Sequence, residues 1–290
     1  MVILLADAFA PDLPGRLAPF GELTTDMNRV GEAEVIIVRS KTKVDKAMID
    51  KAHKLKYIIR GGVGVDTIDV EYAKQKGIAV DNTPEASSLA VAELAFALMI
   101  SMPNHIAEAD ASMKQGKWLK KELERTELGG KTLGLVGIGR IARELAARAQ
   151  AFGMKVLAYD KYVKECGDLA EMTSLDKLLS TSDFISLHTP LTDETRGMIN
   201  AASLAKMKKG AYLINTCRGP VVKLDDVVAA LKEGRLGGYA TDVYDKEPPE
   251  GALLTAPHAV LTPHIGASTE ENLLRLGDSI VARMKTYTKK

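Results

Sequence analysis

Hydrophobic residues along this chain fall into short runs that alternate with segments of helical periodicity, and this alternation occurs twice. In the first half, apolar runs rich in Val and Ile predict strands at residues 2–6, 35–39, 57–60 and 78–80. Helices are predicted between them at 46–54 and 70–76. Strands that alternate with helices in this way are typical of a parallel sheet covered on both faces. The pattern therefore predicts a doubly wound α/β lobe.

The second half repeats the pattern with strands at 133–136, 155–160, 184–187, 211–215, 238–241 and 259–261, each predicted to follow a helical stretch. Between the halves, residues 87–115 place Ala, Leu and Met at helical spacing, with a break at Pro103. A last amphipathic helix is predicted at 271–287, and we expect it to cover the first sheet. We predict two doubly wound parallel-sheet domains, the first made of residues 1–95 plus 271–290 and the second of residues 96–270.

One turn carries a specific chemical signal. The apolar run at 133–136 ends at Gly137-Ile138-Gly139-Arg140-Ile141-Ala142, a G-x-G-x-x-A turn that opens a helix. Gly137 permits the tight turn, Gly139 lets the backbone approach a phosphate, and Ala142 lets the helix pack closely on its strand. The free N–H groups of the helix then bind the anion. This predicts a dinucleotide pyrophosphate held at Gly137, Gly139, Arg140 and Ile141, the alternative being an ordinary βαβ unit whose glycines serve only packing.

An acidic residue follows at the distance that this fold requires. Asp160 ends the next predicted strand, about twenty residues beyond the glycines, where a carboxylate accepts hydrogen bonds from an adenosine ribose. The same carboxylate would repel a 2′-phosphate. The sequence therefore predicts NAD rather than NADP.

Composition limits the remaining possibilities. The 290 residues are 46% hydrophobic and 27% charged, enough for two domains with large cores. A net charge of +1 gives no general attraction for nucleic acid or an anionic membrane, and no apolar run is long enough to cross a bilayer. The two cysteines, Cys166 and Cys217, are far apart and have neither disulfide nor metal-ligand spacing. We expect a cytoplasmic protein with no metal site, no nucleic-acid partner and no membrane partner.

Catalytic side chains are expected at the carboxyl ends of the second-half strands, where open α/β sheets bind ligands. Arg218 lies in Thr216-Cys217-Arg218-Gly219, after the strand at 211–215. Glu247 lies in the run 242–249, after the strand at 238–241, and His264 lies in Pro263-His264-Ile265-Gly266, after the strand at 259–261. A cation, a carboxylate and an imidazole at successive strand ends can converge on one cleft. The other histidines outside these motifs, His53, His105 and His258, are expected to be ordinary core or surface residues.

Seven motifs besides the glycine turn resemble those of the D-isomer-specific 2-hydroxyacid dehydrogenases, in the family's order and over essentially the whole chain. They are Gly62-Val63-Gly64-Val65-Asp66, Asn82-Thr83-Pro84, Val91-Ala92-Glu93-Leu94, His188-Thr189-Pro190-Leu191, Asn215-Thr216-Cys217-Arg218-Gly219, Asp242-Val243-Tyr244 and Pro263-His264-Ile265-Gly266. The forms around Arg60 and His264 look most like the D-3-phosphoglycerate dehydrogenase branch, with glyoxylate and hydroxypyruvate reductases as near neighbours. The resemblance implies a flavodoxin-like substrate domain and a Rossmann NAD-binding domain.

The resemblance also implies roles for individual residues. Arg218 matches the arginine that binds the substrate carboxylate, His264 the acid-base residue, and Glu247 the carboxylate that orients it and favours its imidazolium form. Asp242 would orient the nicotinamide carboxamide. Further cofactor contacts are expected from His188, Thr189, Pro190, Thr216, Cys217, His264 and Gly266. Substrate contacts are expected from Arg60, Gly61, Gly62, Val63, Arg218 and His264.

The substrate and the function class stay open on the sequence. Thr67 and Asn104 depart from the residues that relatives often have, asparagine and arginine respectively, and Arg60 could hold a phosphate. The resemblance favours D-3-phosphoglycerate and 3-phosphohydroxypyruvate, hence serine biosynthesis in a short form without the regulatory C-terminal domain, with glyoxylate or hydroxypyruvate as the alternative. A different class, an NAD-sensing binding protein like the C-terminal binding protein corepressors, shares the fold. We also expect a homodimer through the apolar helical stretch at 94–113.

Overall fold

The first sheet has five strands, and all of its pairings are parallel. In this computed structural model, which describes residues 1–289, the strands are β1 (Val2–Leu5), β2 (Glu22–Thr24), β3 (Ala33–Val38), β4 (Tyr57–Arg60) and β5 (Ala79–Asn82). Their order is β2-β1-β3-β4-β5. This 2-1-3-4-5 order is that of flavodoxin-like doubly wound sheets.

Helices cover both faces of this sheet. They are α1 (Leu13–Leu17), α2 (Lys46–Lys51), α3 (Val70–Gln75) and α10 (Glu270–Tyr287), with 3-10 turns at Ala18–Phe20 and Met27–Glu32. The last helix packs Ile280 and Met284 into the same apolar cluster as Ile3 and Ile59, and all four side chains are fully buried. Residues 1–90 and the described residues from Ala267 onward form one compact unit.

The second sheet has seven strands, again all parallel, and lies within a second unit, Val91–Gly266. Its strands are β6 (Thr132–Val136), β7 (Lys155–Tyr159), β8 (Glu171–Met172), β9 (Phe184–Leu187), β10 (Ala211–Asn215), β11 (Leu236–Thr241) and β12 (Ala259–Leu261). The order β12-β11-β10-β9-β6-β7-β8 is the 3-2-1-4-5-6 Rossmann order with one strand added at the edge. The strand order reverses between β6 and β9, and ligands of such sheets bind at that switch point.

The helices of the second unit are α6 (Arg140–Ala151), α7 (Leu175–Thr181), α8 (Ala201–Lys206) and α9 (Leu224–Lys232), with 3-10 turns at Gly167–Leu169, Gly219–Val221 and Ala252–Thr255. Two more helices, α4 (Ser88–Ser101) and α5 (Ile106–Lys114), occupy the predicted helical stretch and are separated by a break around Pro103. Within residues 1–289 no single helix is long and apolar enough to span a membrane. The bent pair α4 and α5, at 66° to each other, reaches that length and composition only together.

The structure confirms the predicted fold class of two doubly wound parallel sheets. Two strands were missed: β2 and β8 have three and two residues, lie at sheet edges, and carry exposed glutamates instead of an apolar run. The prediction that every second-half strand follows a helical stretch was wrong for β12, which follows only the short 3-10 turn Ala252–Thr255.

Candidate active site

The glycine turn joins β6 to α6 at the switch point of the second sheet. Gly137 has a φ of 92°, and a Cβ there would lie 2.6 Å from the carbonyl oxygen of His188 at the end of β9. Gly139 is the N-cap of α6, and a Cβ there would meet nothing within 4 Å. Ala142 is fully buried. The turn therefore needs glycine at its first position for packing and leaves open space at its second, as an approaching phosphate requires.

Asp160 stands at the end of β7 and holds this turn. Its Oδ2 accepts a hydrogen bond from the Ile138 backbone N–H at 3.0 Å, and its Oδ1 accepts from Tyr162 and Val163. Partial burial acts to raise the pKa of Asp160, but these three backbone N–H groups outweigh it and hold the pKa below its ordinary value. The carboxylate is therefore ionised beside the glycine turn, as a ribose acceptor must be.

One buried hydroxyl fits a ligand at this edge of the sheet. The Oγ1 atom of Thr216 has no hydrogen-bond partner among the described residues, although buried polar atoms are almost always paired. Thr216 belongs to the predicted cofactor set. The open space at Gly139, the ionised Asp160 and this hydroxyl together suit a dinucleotide such as NAD.

The other predicted cofactor residues differ in what they can offer. The His188 ring accepts or donates one hydrogen bond with Ser186 Oγ at 2.9 Å, and burial lowers the pKa of His188 to about 4, so the ring is neutral. Burial raises the pKa of the Cys217 thiol, which is therefore an unreactive group. Arg140 and Pro190 are exposed, and Ile141 is half-buried.

The loop after β10 presents Arg218 in a defined conformation. The fully buried Asn215 donates from Nδ2 to the Arg218 carbonyl at 2.9 Å and accepts from the Cys217 N–H at 3.1 Å. The guanidinium donates to the Cys217 carbonyl at 2.5 Å. A Cβ at Gly219 would lie 2.2 Å from the carbonyl carbon of Tyr244, so this loop and the loop after β11 are in backbone contact.

Glu247 and His264 form a carboxylate-imidazole pair. The His264 Nδ1 lies 2.9 Å from both carboxylate oxygens of Glu247. Because a carboxylate only accepts hydrogen bonds, Nδ1 carries a proton and Nε2 is left for proton exchange with a ligand. His264 has a φ of 55°, an uncommon conformation for a residue other than glycine and one that often marks functional sites.

Asp242 holds the segment that carries His264. This carboxylate is 2% exposed and accepts from Thr262 Oγ1 at 2.6 Å and from the N–H groups of Ile265 and Gly266 at 2.8 Å each. The Tyr244 hydroxyl donates to the Thr262 carbonyl at 2.8 Å. The structure therefore gives Asp242 a positioning role for the 262–266 segment, besides the predicted contact with the nicotinamide carboxamide.

The predicted substrate residues Arg60, Gly61, Gly62 and Val63 follow β4 in the first unit. The Arg60 guanidinium donates to the Gly61 carbonyl at 3.0 Å and lies across Gly62, whose φ of 136° and missing Cβ make room for it. The Gly62 N–H donates to Thr83 Oγ1 at 2.7 Å, and Asn82 donates to the Val63 carbonyl. The guanidinium is thus part of an ordered loop.

Three positioning residues were not predicted: Asn215, Thr83 and Tyr244. Asn215 and Thr83 are fully buried, and each orders the backbone beside a predicted site residue. The sequence did indicate a role for Asn215, because this polar residue ends a largely apolar strand and begins the motif Asn215-Thr216-Cys217-Arg218-Gly219. The long-range bond of Tyr244 to Thr262 had no local sequence signal.

Comparisons with known proteins identify the family of this chain. The sequence profile of the "D-isomer specific 2-hydroxyacid dehydrogenase, NAD binding domain" matches residues 96–266. A hydroxypyruvate reductase of Thermotoga maritima is 47% identical over 89% of this chain and 86% of its own length. A D-3-phosphoglycerate dehydrogenase of Methanocaldococcus jannaschii is 44% identical over 89% of this chain but 50% of its own length, so the chain spans about half of that relative.

A solved structure agrees over the whole chain. D-lactate dehydrogenase from Aquifex aeolicus, complexed with NAD and lactic acid, superposes with a TM-score of 0.87 at 33% identity, covering 100% of this chain and 96% of that one. All three relatives are named for oxidoreductase activities, so the binding-protein alternative gains no support from them. The chain belongs to the D-isomer-specific 2-hydroxyacid dehydrogenase family and is an NAD-dependent oxidoreductase.

Proposed function

We propose that this protein interconverts D-3-phosphoglycerate and 3-phosphohydroxypyruvate with NAD. The observation that carries the chemistry is the Glu247–His264 pair, together with the backbone contact between the loop that carries Glu247 and the loop that carries Arg218. Reduction of a 2-keto acid needs a cation for the carboxylate, a proton donor for the carbonyl oxygen and a hydride. The three residues supply the first two.

Each residue has one task in this proposal. Arg218 binds the substrate carboxylate through its planar guanidinium and polarises the adjacent carbonyl. In reduction His264 donates the Nε2 proton to the forming alkoxide, and in oxidation it accepts the hydroxyl proton at the same atom. Glu247 stabilises the imidazolium through Nδ1. NAD, when bound, accepts or supplies the hydride.

The proposal of a phosphorylated substrate is supported by Arg60 and by the similarity to D-3-phosphoglycerate dehydrogenases. A fixed guanidinium suits a phosphate, because its fork matches two phosphate oxygens. The T. maritima relative favours a second candidate, hydroxypyruvate, which lacks the phosphate, and it matches over far more of its own length. We also propose that residues 1–95 with 271–290 bind the substrate and that 96–270 bind the cofactor.

A kinetic panel separates the two substrates. The purified protein is assayed with NADH and 3-phosphohydroxypyruvate, hydroxypyruvate or glyoxylate, with NADH absorbance as the readout. For Arg60→Gln we expect kcat/KM to fall roughly 10- to 150-fold for the phosphorylated substrate only, which corresponds to the loss of one charge-assisted hydrogen bond. Lys41→Gln, which removes an exposed charge in the same unit, is the matched control.

Two outcomes would change the proposal. Higher kcat/KM for hydroxypyruvate in the wild type, with no selective effect of Arg60→Gln, would favour the reductase reading. No turnover of any of the three acids would reject all three as substrates of this chain.

A homodimer is part of the same proposal. Helix α5 exposes Ile106 and Met113 at 55% and 54%, an apolar surface suited to a second copy. Multi-angle light scattering should return twice the 31.3 kDa chain mass, and a monomer at micromolar concentration would contradict it. A cytoplasmic site of action in serine biosynthesis also belongs to the proposal, and both cysteines are free thiols, as a reducing compartment favours.

A further inference from the structure

A second cluster of ligand-type side chains lies in the 91–266 unit, away from the residues assigned to catalysis. It consists of His105 at the start of α5, Glu108 one turn later and His258 just before β12. They line a cleft of about 320 Å³ together with Met102 and Val260. We propose that this cluster is a binding site for a divalent transition-metal ion of the Zn²⁺ class.

His105 is held in place with one ring nitrogen already assigned. Its Nε2 lies 3.0 Å from the Glu124 carbonyl oxygen, which can only accept, so Nε2 carries the hydrogen and the neutral ring presents its lone pair at Nδ1. The Nδ1 atom lies 3.7 Å from the Glu108 carboxylate. A metal-binding histidine commonly donates its other N–H to a backbone carbonyl in this way, which fixes both tautomer and ring orientation.

The turn around His105 is an ordered structure. The Thr126 N–H donates to the Pro103 carbonyl at 3.0 Å, and Arg125 Nε donates to Asn104 Oδ1 at 2.7 Å. His105 adopts a φ of 53° at the N-cap of α5, without a side-chain cap bond. The imidazole is therefore directed by its surroundings rather than used to cap its own helix.

The other two ligands can adjust to an ion. His258 and Glu108 are exposed, while the His258 backbone is anchored by its carbonyl, which accepts from the Tyr239 N–H at 3.1 Å. The ligand atoms of the three residues lie within 4.8 Å of one another. A tetrahedral Zn²⁺ site needs ligand atoms about 3.4 Å apart, so movements of roughly 1 Å by these two side chains would close it. Two imidazoles and one carboxylate suit Zn²⁺, Cu²⁺, Ni²⁺ or Co²⁺ rather than the oxygen-selective Mg²⁺ or Ca²⁺.

An ion here would join two segments that are distant in sequence. It would tie the N-terminus of α5 to the residue before β12, an edge strand whose far end leads into Thr262 and His264. Among residues 1–289, strand β12 pairs only with β11, and it has three residues. The expected consequence of binding is a more stable 91–266 unit.

The test is metal binding by the untagged, EDTA-treated full chain. Isothermal titration with Zn²⁺ should give one ion per chain, and Zn²⁺ at about 100 times its dissociation constant should raise Tm by roughly 5 °C or more. Co²⁺ binding should give a visible absorption spectrum characteristic of nitrogen and oxygen ligands. Affinity should fall at acid pH, because metal ligands must be deprotonated.

Variants identify the ligands. His105→Asn and His258→Asn, which keep a residue type that tolerates positive φ, should each weaken Zn²⁺ binding on the order of 100-fold or more. Glu108→Gln removes only the charge of an exposed side chain and should weaken binding without affecting the fold. His53→Asn, an exposed histidine of the first unit, and His264→Asn, which removes the imidazole beside Glu247, should leave this site intact.

Three results would overturn the proposal. Binding that survives both His105→Asn and His258→Asn would show ordinary surface imidazoles or the Glu247–His264 pair as the ligands. Failure of Zn²⁺ to bind the wild type at micromolar concentration, or an equal loss in His53→Asn, would reject the site outright.

Discussion

The contact at Gly219 allows the catalytic arrangement to be tested without removing a polar group. In Gly219→Ala the new Cβ would lie 2.2 Å from the Tyr244 carbonyl carbon and 2.5 Å from the Asp245 nitrogen. Non-bonded carbon atoms approach to about 3.5 Å at their optimum, so the two backbones must separate by roughly 1 Å. Neither neighbour is a flexible side chain, so the loop that carries Arg218 moves relative to the loop that carries Glu247.

The size of the effect follows from this displacement. A misplacement of about 1 Å can cost on the order of 100-fold in rate, and we expect that loss in kcat/KM for the best keto acid. The strain of overpacking should also lower the free energy of unfolding by about 1–3 kcal/mol. NADH affinity should fall less than kcat/KM, because Gly137 and Asp160, which we propose as cofactor residues, lie outside the two displaced loops, whereas Thr216 lies in one of them.

Steady-state kinetics measures kcat/KM, NADH fluorescence titration measures the affinity for NADH, and urea unfolding measures the free energy of unfolding. The matched control is Gly129→Ala in the same unit, where the Cβ would meet only the Phe152 carbonyl oxygen at an ordinary 3.7 Å. Wild-type stability in Gly219→Ala would refute the contact itself. A destabilised Gly219→Ala with kcat/KM within two-fold of wild type would instead refute the role of the Arg218–Glu247 arrangement in catalysis.

Three further predictions address single residues. His264→Asn should lower kcat by about 10²–10⁴-fold yet leave the NADH dissociation constant nearly unchanged, and a kcat above a tenth of wild type would contradict the acid-base role. Asp160→Ser should narrow the ratio of kcat/KM for NAD over NADP, because repulsion of the 2′-phosphate is lost, and an unchanged ratio would argue against that role. Burial that lowers the pKa of His188 from 6.5 to about 4 means that the unfolded chain binds this proton first as pH falls. The free energy of unfolding should therefore fall as the pH is lowered from 6.5 to 4, by about 2 kcal/mol at pH 5. In His188→Gln, urea unfolding should show a smaller decrease over this pH range than in the wild type.

Much of the fold was predictable because the strands of a buried parallel sheet consist of runs of apolar residues. Strands β4, β9, β10 and β12 have the predicted bounds, and the break between α4 and α5 falls around Pro103. The missed strands β2 and β8 lie at edges, where one side of the backbone is unpaired and few side chains are buried. Their short polar sequences differ little from those of loops.

Candidate site residues could be proposed from the sequence one by one, but their mutual geometry could not. Arg218, Glu247 and His264 were identified by their positions at strand ends, and the structure pairs Glu247 with His264. The approach at Gly219 and the bond from Tyr244 to Thr262 arise where loops of different strands pack together. The same limitation explains why His105 and His258 were expected to be ordinary core or surface residues.

Two carboxylates in the second sheet act in the same way. Asp160 follows β7 and accepts from the Ile138 N–H in the turn after the neighbouring β6, while Asp242 follows β11 and accepts from Ile265 and Gly266 after the neighbouring β12. In each case a carboxylate at the end of one strand orders the loop that follows the neighbouring strand in the sheet. Hydrogen bonds from backbone N–H groups to a charged acceptor are worth about 1.5–3 kcal/mol each, so removing either carboxylate disturbs that loop besides any ligand contact.

Loss of activity at these positions is therefore ambiguous by itself. At Asp160 the ratio of NAD to NADP efficiency isolates the ribose contact, because a displaced glycine turn would weaken both cofactors alike. When Asp242 is replaced, the corresponding measurement compares the change in NADH affinity with the change in kcat. A displaced 262–266 segment should lower kcat through His264, whereas loss of a contact to the nicotinamide should also weaken NADH binding. The geometry favours the first result, since both oxygens of Asp242 are already bonded to the segment that carries His264.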